Sequence, residues 1–207
     1  MAKITVAFWV FVFVLAGTGE AEAGDADSCL RALSKAGVRY QRVDRVGVKI
    51  GVTITDNKLG GVEYVGYKQG KLVIDCSLAV SLAKNGLFLR RLGIEKITYS
   101  SAYQRRNIRG TNRPSRHSYG LAIDLHTFHV EGLGSLRIRD DYEQGLGTIE
   151  DCVGQPLTEQ GALLRTIDCE LAESGDFRII LSPDYDAHHY NHFHVEVLPW
   201  DLSLIHI

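Results

Sequence analysis

The chain has little of what marks fibrous, nucleic-acid-binding or membrane-spanning proteins. Only four of its 207 residues are proline, which is too few for a polyproline II rod. The formal net charge is −2 and no extended run of lysine or arginine occurs, so nucleic acid and anionic membranes are disfavoured as partners. No internal repeat or low-complexity segment is present. The remaining composition, 45% hydrophobic and 23% charged, is typical of one globular domain.

None of the four cysteines belongs to a CxxC pair, which disfavours a cysteine-based metal site. In an exported chain of this size, cysteines usually form disulfides, and four of them allow three pairings. We favour Cys29–Cys76 and Cys152–Cys169, because each pair closes a local loop. Free buried thiols are the alternative.

The chain has one long apolar run, "ITVAFWVFVFVLAG" at residues 4–17. Lys3 precedes this run, and Ala21 and Ala23 follow it in the positions of an A-x-A cleavage site. The pattern predicts a secretory signal peptide over residues 1–23. A membrane anchor is the alternative, but the run is shorter than the roughly 20 apolar residues that a span requires. We therefore expect a secreted or periplasmic protein that does not stay inserted in a membrane.

The last six residues, "LSLIHI" at 202–207, fit no pattern in the rest of the chain. They match the translation of a transposase mosaic-end sequencing adapter, and they follow a natural end at "VLPWD". We predict that they are an artefact and that the domain covers residues 24–201. A genuine apolar tail or edge strand is the alternative.

Hydrophobic spacing predicts an α+β fold, with a small antiparallel sheet and flanking helices. Three helices are expected: one capped by Asp27 or Ser28 and ended by Gly37, one over Ser77–Leu92, and one from Thr158 to Gly175. Strands are expected over residues 46–54, 93–103, 177–181 and 192–198, with a hairpin formed by "VEYVGY" and "KLVIDC". Residues 130–156 are rich in glycine and charge, which predicts a long loop or a small insertion.

Two stretches carry the candidate chemistry, "SRHSYGLAID" at 115–124 and "HHYNHFHVEV" at 188–197. Side chains alternate along a strand, so Asp124 shares a face with its neighbours two residues away, and His192 points the same way as His194. Gly120 permits a tight turn that returns His117 toward the face of Asp124.

Two histidine nitrogens and one carboxylate oxygen then converge. Two histidines, one aspartate and one open position form a ligand set suited to catalytic zinc. Each element has a simpler interpretation, since an isolated HxH pair is often polar surface and a buried aspartate often only accepts hydrogen bonds. Their combination in an exported chain favours the metal site.

The pattern S-x-H-x-x-G-x-A-x-D followed by H-x-H resembles the paired motif of the zinc D-alanyl-D-alanine metallopeptidases. That superfamily also includes lysostaphin-type enzymes and the hedgehog signalling domain. In more detail, "YQRR…SRHSYGLAIDLHTF" and "LSPDYDAHHYNHFHVEV" resemble the bacterial extensin-like C-terminal domain, from about Cys29 to Trp200. The resemblance implies a fold of the hedgehog and D-alanyl-D-alanine peptidase type.

By this resemblance the zinc ligands are His117, Asp124 and His194. His192 is implied as a catalytic base or transition-state stabiliser, and His189 as a further histidine of the site. Ser115 falls on the serine of the motif and would support the ligands from outside.

Arg106 falls where relatives carry an arginine that binds the substrate carboxylate, a role that suits a planar guanidinium. A solvated surface arginine is the alternative. Relatives often have cysteine before this arginine, where this chain has Arg105, so the disulfide pattern of the relatives is not assumed for this chain. The insertion at 130–156 is expected to be a lid or a substrate-selecting loop held by Cys152. His126 and His129 are expected to be surface or supporting residues.

These observations predict a monomeric, exported zinc metallopeptidase that hydrolyses an amide bond in peptidoglycan stem peptides, next to a D-amino acid. It would act as a carboxypeptidase or an endopeptidase. The alternative is a catalytically inactive cell-wall binding module that retains the metal. His192 and His189 favour the enzyme, because a structural zinc site more often has a fourth protein ligand.

Overall fold

The computed structural model describes residues 18–68, 70–147, 152 and 154–200, and for residues 18–23 and 25 the backbone alone. Most of the predicted signal peptide and all of residues 202–207 lie outside the described residues, so both assignments stay predictions. No helix in the described part of the chain is long and apolar enough to cross a membrane.

The described residues form helices and strands in an α+β arrangement, as the hydrophobic spacing predicts. The helices are α1 (Thr18–Lys35), α2 (Cys76–Arg91), α3 (Ile138–Asp141) and α4 (Glu159–Glu173), with one 3₁₀ helix, η1 (Arg116–Tyr119). The strands are β1 (Tyr40–Arg42), β2 (Gly51–Ile54), β3 (Lys58–Leu59), β4 (Val62–Gly66), β5 (Val73–Asp75), β6 (Ile94–Ser101), β7 (Ala122–Val130), β8 (Gly134–Arg137), β9 (Ile179–Leu181) and β10 (Phe193–Glu196).

The strands form two sheets. The smaller sheet has the order β1-β2-β5, and the larger has the order β3-β4-β6-β7-β10-β9, with β8 also paired to β7. All pairs are antiparallel except β4 with β6, so the larger sheet is mixed rather than purely antiparallel. β7 pairs with β10 through its first half and with β8 through its second half.

One face of β7 packs into the hydrophobic core and the other face is polar. Ile123, Leu125 and Phe128 are at most 2% exposed and join a core cluster that also contains apolar residues of α2 and α4. The opposite face carries Asp124 and His126, as strand alternation predicts.

The loop that contains η1 is held against the first turn of α2. The Asp75 carboxylate caps α2 by accepting from the amide of Ser77 at 2.9 Å, and the amide of Asp75 donates to the carbonyl of Gly120 at 2.9 Å. Gly120 has a left-handed φ of 66°, and a Cβ there would lie 2.7 Å from the Asp75 amide nitrogen. The turn before β7 therefore requires glycine on grounds of both conformation and space.

Helix α2 crosses the β3–β4 turn at a glycine contact. A Cβ on Gly86 would lie 2.5 Å from the Cα of Gly60. Gly86, which looks like a weak point within a helical pattern, is therefore required for the close contact between α2 and the β3–β4 turn.

Three local predictions are wrong. The strand expected over 46–54 is confined to Gly51–Ile54, because Gly47 adopts a left-handed φ of 87° and turns the chain, which leaves Val46 66% exposed. The expected hairpin does not form, because β4 pairs with β6 and β5 pairs with β2 in the other sheet. Helix α1 begins at Thr18, upstream of the expected caps Asp27 and Ser28.

Both predicted disulfides are confirmed. Cys29–Cys76 joins α1 to the start of α2, and Cys152–Cys169 joins the insertion to α4. Two disulfides are typical of a protein of the periplasm or the extracellular space.

The described part of the insertion at 130–156 is a structured segment containing β8 and α3. Tyr142 is buried and packs edge-on against Phe193 of β10, with ring centroids 5.6 Å apart. Glu143 accepts from the amide of Thr158 at 2.8 Å, at the start of α4. These contacts anchor the end of the described insertion against β10 and α4.

Candidate metal centre

Three elements bring His117, Asp124 and His194 together. His117 lies on η1, whose end at Gly120 leads directly into β7. Asp124 of β7 and His194 of β10 are direct partners in the antiparallel register. The predicted convergence of these side chains is therefore confirmed.

The three side chains are buried, and their potential metal-ligand atoms lie close to one another. The exposed fractions are 0% for His117, 5% for Asp124 and 8% for His194. His117 Nε2 lies 3.1 Å from Asp124 Oδ1 and 3.2 Å from His194 Nδ1, and His194 Nδ1 lies 2.8 Å from Asp124 Oδ1. Within the described part of the chain, this is the group whose potential metal-ligand atoms all lie within 4.8 Å of one another.

The outer nitrogen of each histidine faces an oxygen acceptor. His117 Nδ1 donates to the carbonyl of Ala102 at 2.8 Å, and His194 Nε2 donates to Glu196 Oε1 at 2.9 Å. In a neutral ring, the inner nitrogen of each histidine then carries a lone pair and no proton. This is the arrangement that partners of metal-binding histidines usually impose.

With both rings neutral, two nitrogen lone pairs and a carboxylate oxygen would face one another, an arrangement that a cation or a proton between them stabilises. Burial lowers the pKa of His194, but hydrogen bonds to Asp124 and Glu196 outweigh it and raise the pKa to about 9. Burial also raises the pKa of Asp124, but hydrogen bonds from His117 and His194 bring it below its ordinary value. Both shifts favour a positive charge beside the ionised Asp124 carboxylate.

The spacing of the donors also fits a small tetrahedral ion. Zinc–nitrogen and zinc–oxygen distances of roughly 2.0–2.2 Å imply donor atoms about 3.3 Å apart at tetrahedral angles. The observed spacings of 2.8, 3.1 and 3.2 Å lie slightly below this value. A shift of a few tenths of an ångström at each side chain would accommodate the ion.

His192 lies beside the centre, in the residue before β10. Its Nε2 is 3.6 Å from Asp124 Oδ1, and its Nδ1 donates to Asn191 Oδ1 at 2.9 Å. Burial lowers the pKa of His192 to about 4, even though the charge of Asp124 opposes the shift. The ring is therefore neutral at physiological pH, with the unprotonated nitrogen directed toward the centre.

His189 lies against His192 and His194, and together with His126 these residues form what we call the histidine row. His189 Nδ1 lies 2.7 Å from Asp186 Oδ1, and the His189 ring centroid lies 5.1 Å from that of His192 and 5.8 Å from that of His194. The predicted site histidines are thus all in one place.

Arg106 and Ser115 also reach this region. Arg106 Nη2 lies 3.4 Å from Asp124 Oδ2, and the arginine side chain is 45% exposed. Ser115 caps η1 by accepting from the amide of His117 at 3.4 Å. Its own amide donates to the carbonyl of Arg106 at 2.9 Å, so Ser115 connects the two loops.

Comparison with known families identifies the family of this chain. The family described as Extensin-like protein C-terminus matches residues 27–202. The chain belongs to this family. No curated protein and no solved structure matches it. The extensin-like domain includes the candidate metal centre, the neighbouring histidines and Arg106.

Two further residues of the extensin-like domain, Glu196 and His126, contact the site histidines. Glu196 is absent from the predicted site although it orients His194, and its Oε2 lies 3.8 Å from Arg116 Nε. Its position two residues after His194 on a strand is a signal that would have found it. His126 stacks on His192 with ring centroids 5.1 Å apart and hydrogen-bonds Ser100 Oγ at 2.8 Å. His126 therefore supports the histidine row, as one of its two expected roles implies.

Proposed function

We propose that this extensin-like domain is a zinc-dependent hydrolase of amide bonds in peptidoglycan stem peptides, directed at a bond next to a D-amino acid. The observation that carries the proposal is the buried convergence of His117, Asp124 and His194, with both outer ring nitrogens engaged by oxygen acceptors. Two imidazoles and one carboxylate, without cysteine, form a ligand set found at catalytic zinc sites. The motif resemblance to the zinc D-alanyl-D-alanine metallopeptidases supports the choice of substrate.

A zinc ion held by these three residues would polarise the scissile carbonyl and lower the pKa of a water molecule toward about 7. Three protein ligands leave a coordination position open for substrate or water. The burial of all three side chains excludes bulk solvent from their side of the site, which strengthens electrostatic interactions there.

His192 is the best-placed residue for proton transfer. Its unprotonated Nε2 lies 3.6 Å from Asp124 Oδ1, at the edge of the ligand cluster. We assign it to accept the proton of the attacking water and to deliver that proton to the leaving amine as the carbon–nitrogen bond breaks. His189, oriented by Asp186, lies next to it and would support the same transfer.

Arg106 suits the binding of a substrate carboxylate. Its guanidinium lies against Asp124, at the edge of the ligand cluster, while nearly half of the side chain remains exposed. A substrate carboxylate entering the site would form charge-assisted hydrogen bonds with this group, and these bonds would position the scissile amide.

Digestion of purified peptidoglycan, with products identified by mass spectrometry, tests the proposal. We expect the zinc-loaded protein to release peptide fragments cut next to a D-amino acid. His192→Ala should retain zinc and lose roughly 10²–10⁴-fold in rate. His188→Ala is the matched control, because His188 is an exposed histidine of the same loop. If the wild type binds zinc and peptidoglycan fragments but releases no product, the protein is a binding module instead.

A further inference from the structure

A groove of about 500 Å³ lies next to the metal centre, over the polar face of the paired strands β6, β7 and β8. This volume is within the range of roughly 300–1,000 Å³ that is typical of ligand pockets. We call it the β7–β8 groove; it is lined by Tyr67, Thr98, His126, Thr127, His129, Ser135, Arg137, Arg139 and Asn191. The function proposed above assigns no role to it.

A β-bulge in β7 makes the groove continuous with the metal centre. In the pairing of β6 with β7, Thr98 faces Thr127 and Tyr99 faces Leu125, so His126 is an extra residue on β7. Past this bulge, Thr127 and His129 line the groove while Phe128 is fully buried. The polar face of β7 therefore runs without interruption from Asp124 into the groove.

His126 is the boundary between the two regions. It lines the groove and at the same time stacks on His192, with an angle of 27° between the rings. Tyr67, which is 60% exposed, also contacts His126, with ring centroids 5.1 Å apart. A peptide that reaches the metal centre can therefore extend over His126 and beside the Tyr67 ring.

The side of the groove formed by β8 and α3 is rich in hydrogen-bond donors. Arg137 and Arg139 line it, with side chains 65% and 59% exposed, and none of its lining residues is a carboxylate. Asp140 pairs with Arg139 at 2.8 Å and lies 3.8 Å from Arg137, but it is outside the lining. The remaining polar groups are hydroxyls, imidazoles and an amide, which both donate and accept. The complementary ligand group is one that only accepts hydrogen bonds.

We propose that the β7–β8 groove binds the part of the substrate on one side of the scissile bond and selects a peptide with a side-chain carboxylate. Arg137 and Arg139 bind that carboxylate, and Tyr67 covers the aliphatic part of the same residue. This inference rests on the proposed function for the identity of the substrate as a peptide, and it adds acidic specificity to it.

Equilibrium binding of two synthetic peptides tests the proposal. One is N-acetyl-Ala-D-Glu-Lys, and the other carries D-Gln in place of D-Glu. Binding is measured by calorimetry at low temperature on the zinc-loaded protein, with mass spectrometry to verify that the peptides stay intact. We expect the acidic peptide to bind about tenfold more tightly, the size of one charge-assisted hydrogen bond.

The variant Arg137→Gln/Arg139→Gln should bind both peptides equally. Arg91→Gln, at an exposed arginine in the last turn of α2, is the control and should keep the wild-type preference. Equal binding of both peptides by the wild type would overturn the proposal. So would an unchanged preference in the double variant.

This outcome is separable from that of the proposed function. If the protein hydrolyses peptidoglycan and the double variant has an unchanged KM for acidic peptides, the groove assignment fails and the hydrolase stands. If the protein cuts no peptide but discriminates between the two peptides through these arginines, the groove assignment holds and the hydrolase assignment fails.

Discussion

Removal of the Glu196 carboxylate should weaken metal binding without changing any ligand. Glu196 Oε1 accepts from His194 Nε2 at 2.9 Å, which directs the lone pair of Nδ1 toward Asp124. In Glu196→Gln the amide oxygen can still accept this hydrogen bond, so the ring keeps its orientation and loses only the negative charge beside it. In Glu196→Ala both the hydrogen-bond acceptor and the negative charge are lost.

Partners of this kind are typically worth about 10–100-fold in metal affinity, which corresponds to roughly 1.4–2.7 kcal/mol. We expect zinc affinity to fall about tenfold in Glu196→Gln and up to about 100-fold in Glu196→Ala. The assay is competition with a chromophoric chelator at constant pH. Glu95→Gln is the control, because the Glu95 side chain is 57% exposed and pairs with Arg90 instead. Wild-type affinity in a folded Glu196→Ala variant would refute the assigned role of this carboxylate.

Other predictions concern stability. Gly86→Ala should lower the free energy of unfolding by about 1–3 kcal/mol, because the new Cβ overlaps Gly60. The control is Leu87→Ala at the exposed neighbouring residue, which should change the free energy of unfolding by less than about 0.5 kcal/mol in the same urea titration. Replacing Cys29 and Cys76 by serine should lower the free energy of unfolding by about 4 kcal/mol, and replacing Cys152 and Cys169 should lower it by about 3 kcal/mol, because the closed loops span 47 and 17 residues. Equal losses of stability would contradict the loop-entropy argument. Burial raises the pKa of Asp168 to about 7, so the folded state retains a proton that the unfolded state releases near pH 4. The free energy of unfolding should therefore fall by about 1–4 kcal/mol between pH 4 and 7 and stay constant above pH 7. Asp168→Asn should remove that slope in denaturant titrations at each pH, and an unchanged slope would show that another group causes it.

Strand periodicity and the glycine before β7 predicted that histidines converge on Asp124, whereas the choice of His194 over His192 as a ligand came from the family resemblance. Alternation along β7 and β10 identifies which side chains share a face, and the register places Asp124 opposite His194. The left-handed φ of 66° at Gly120 is the turn that the glycine predicts before β7. The carbonyl of Ala102 could not be predicted, because a backbone acceptor has no sequence signature and the contact joins segments distant in the chain.

The errors arise where pairing depends on distant parts of the chain. "VEYVGY" and "KLVIDC" each have the composition of a strand, but neither sequence indicates which strand it pairs with. In the structure, β4 and β5 belong to different sheets. The bulge at His126 did leave a signal, because the buried apolar positions of β7 step by two from Ile123 to Leu125 and then by three to Phe128. That step marks where the polar face of β7 is extended toward the β7–β8 groove.

Metal content of the purified protein is the most direct test of the central claim. The account predicts about one zinc per chain, retained in His192→Ala and sharply reduced in His117→Ala, in Asp124→Ala and in His194→Ala. Elemental analysis after dialysis, with circular dichroism to verify folding, gives the answer. Full zinc occupancy in all three ligand variants, or a folded wild type that binds no zinc, would contradict the account.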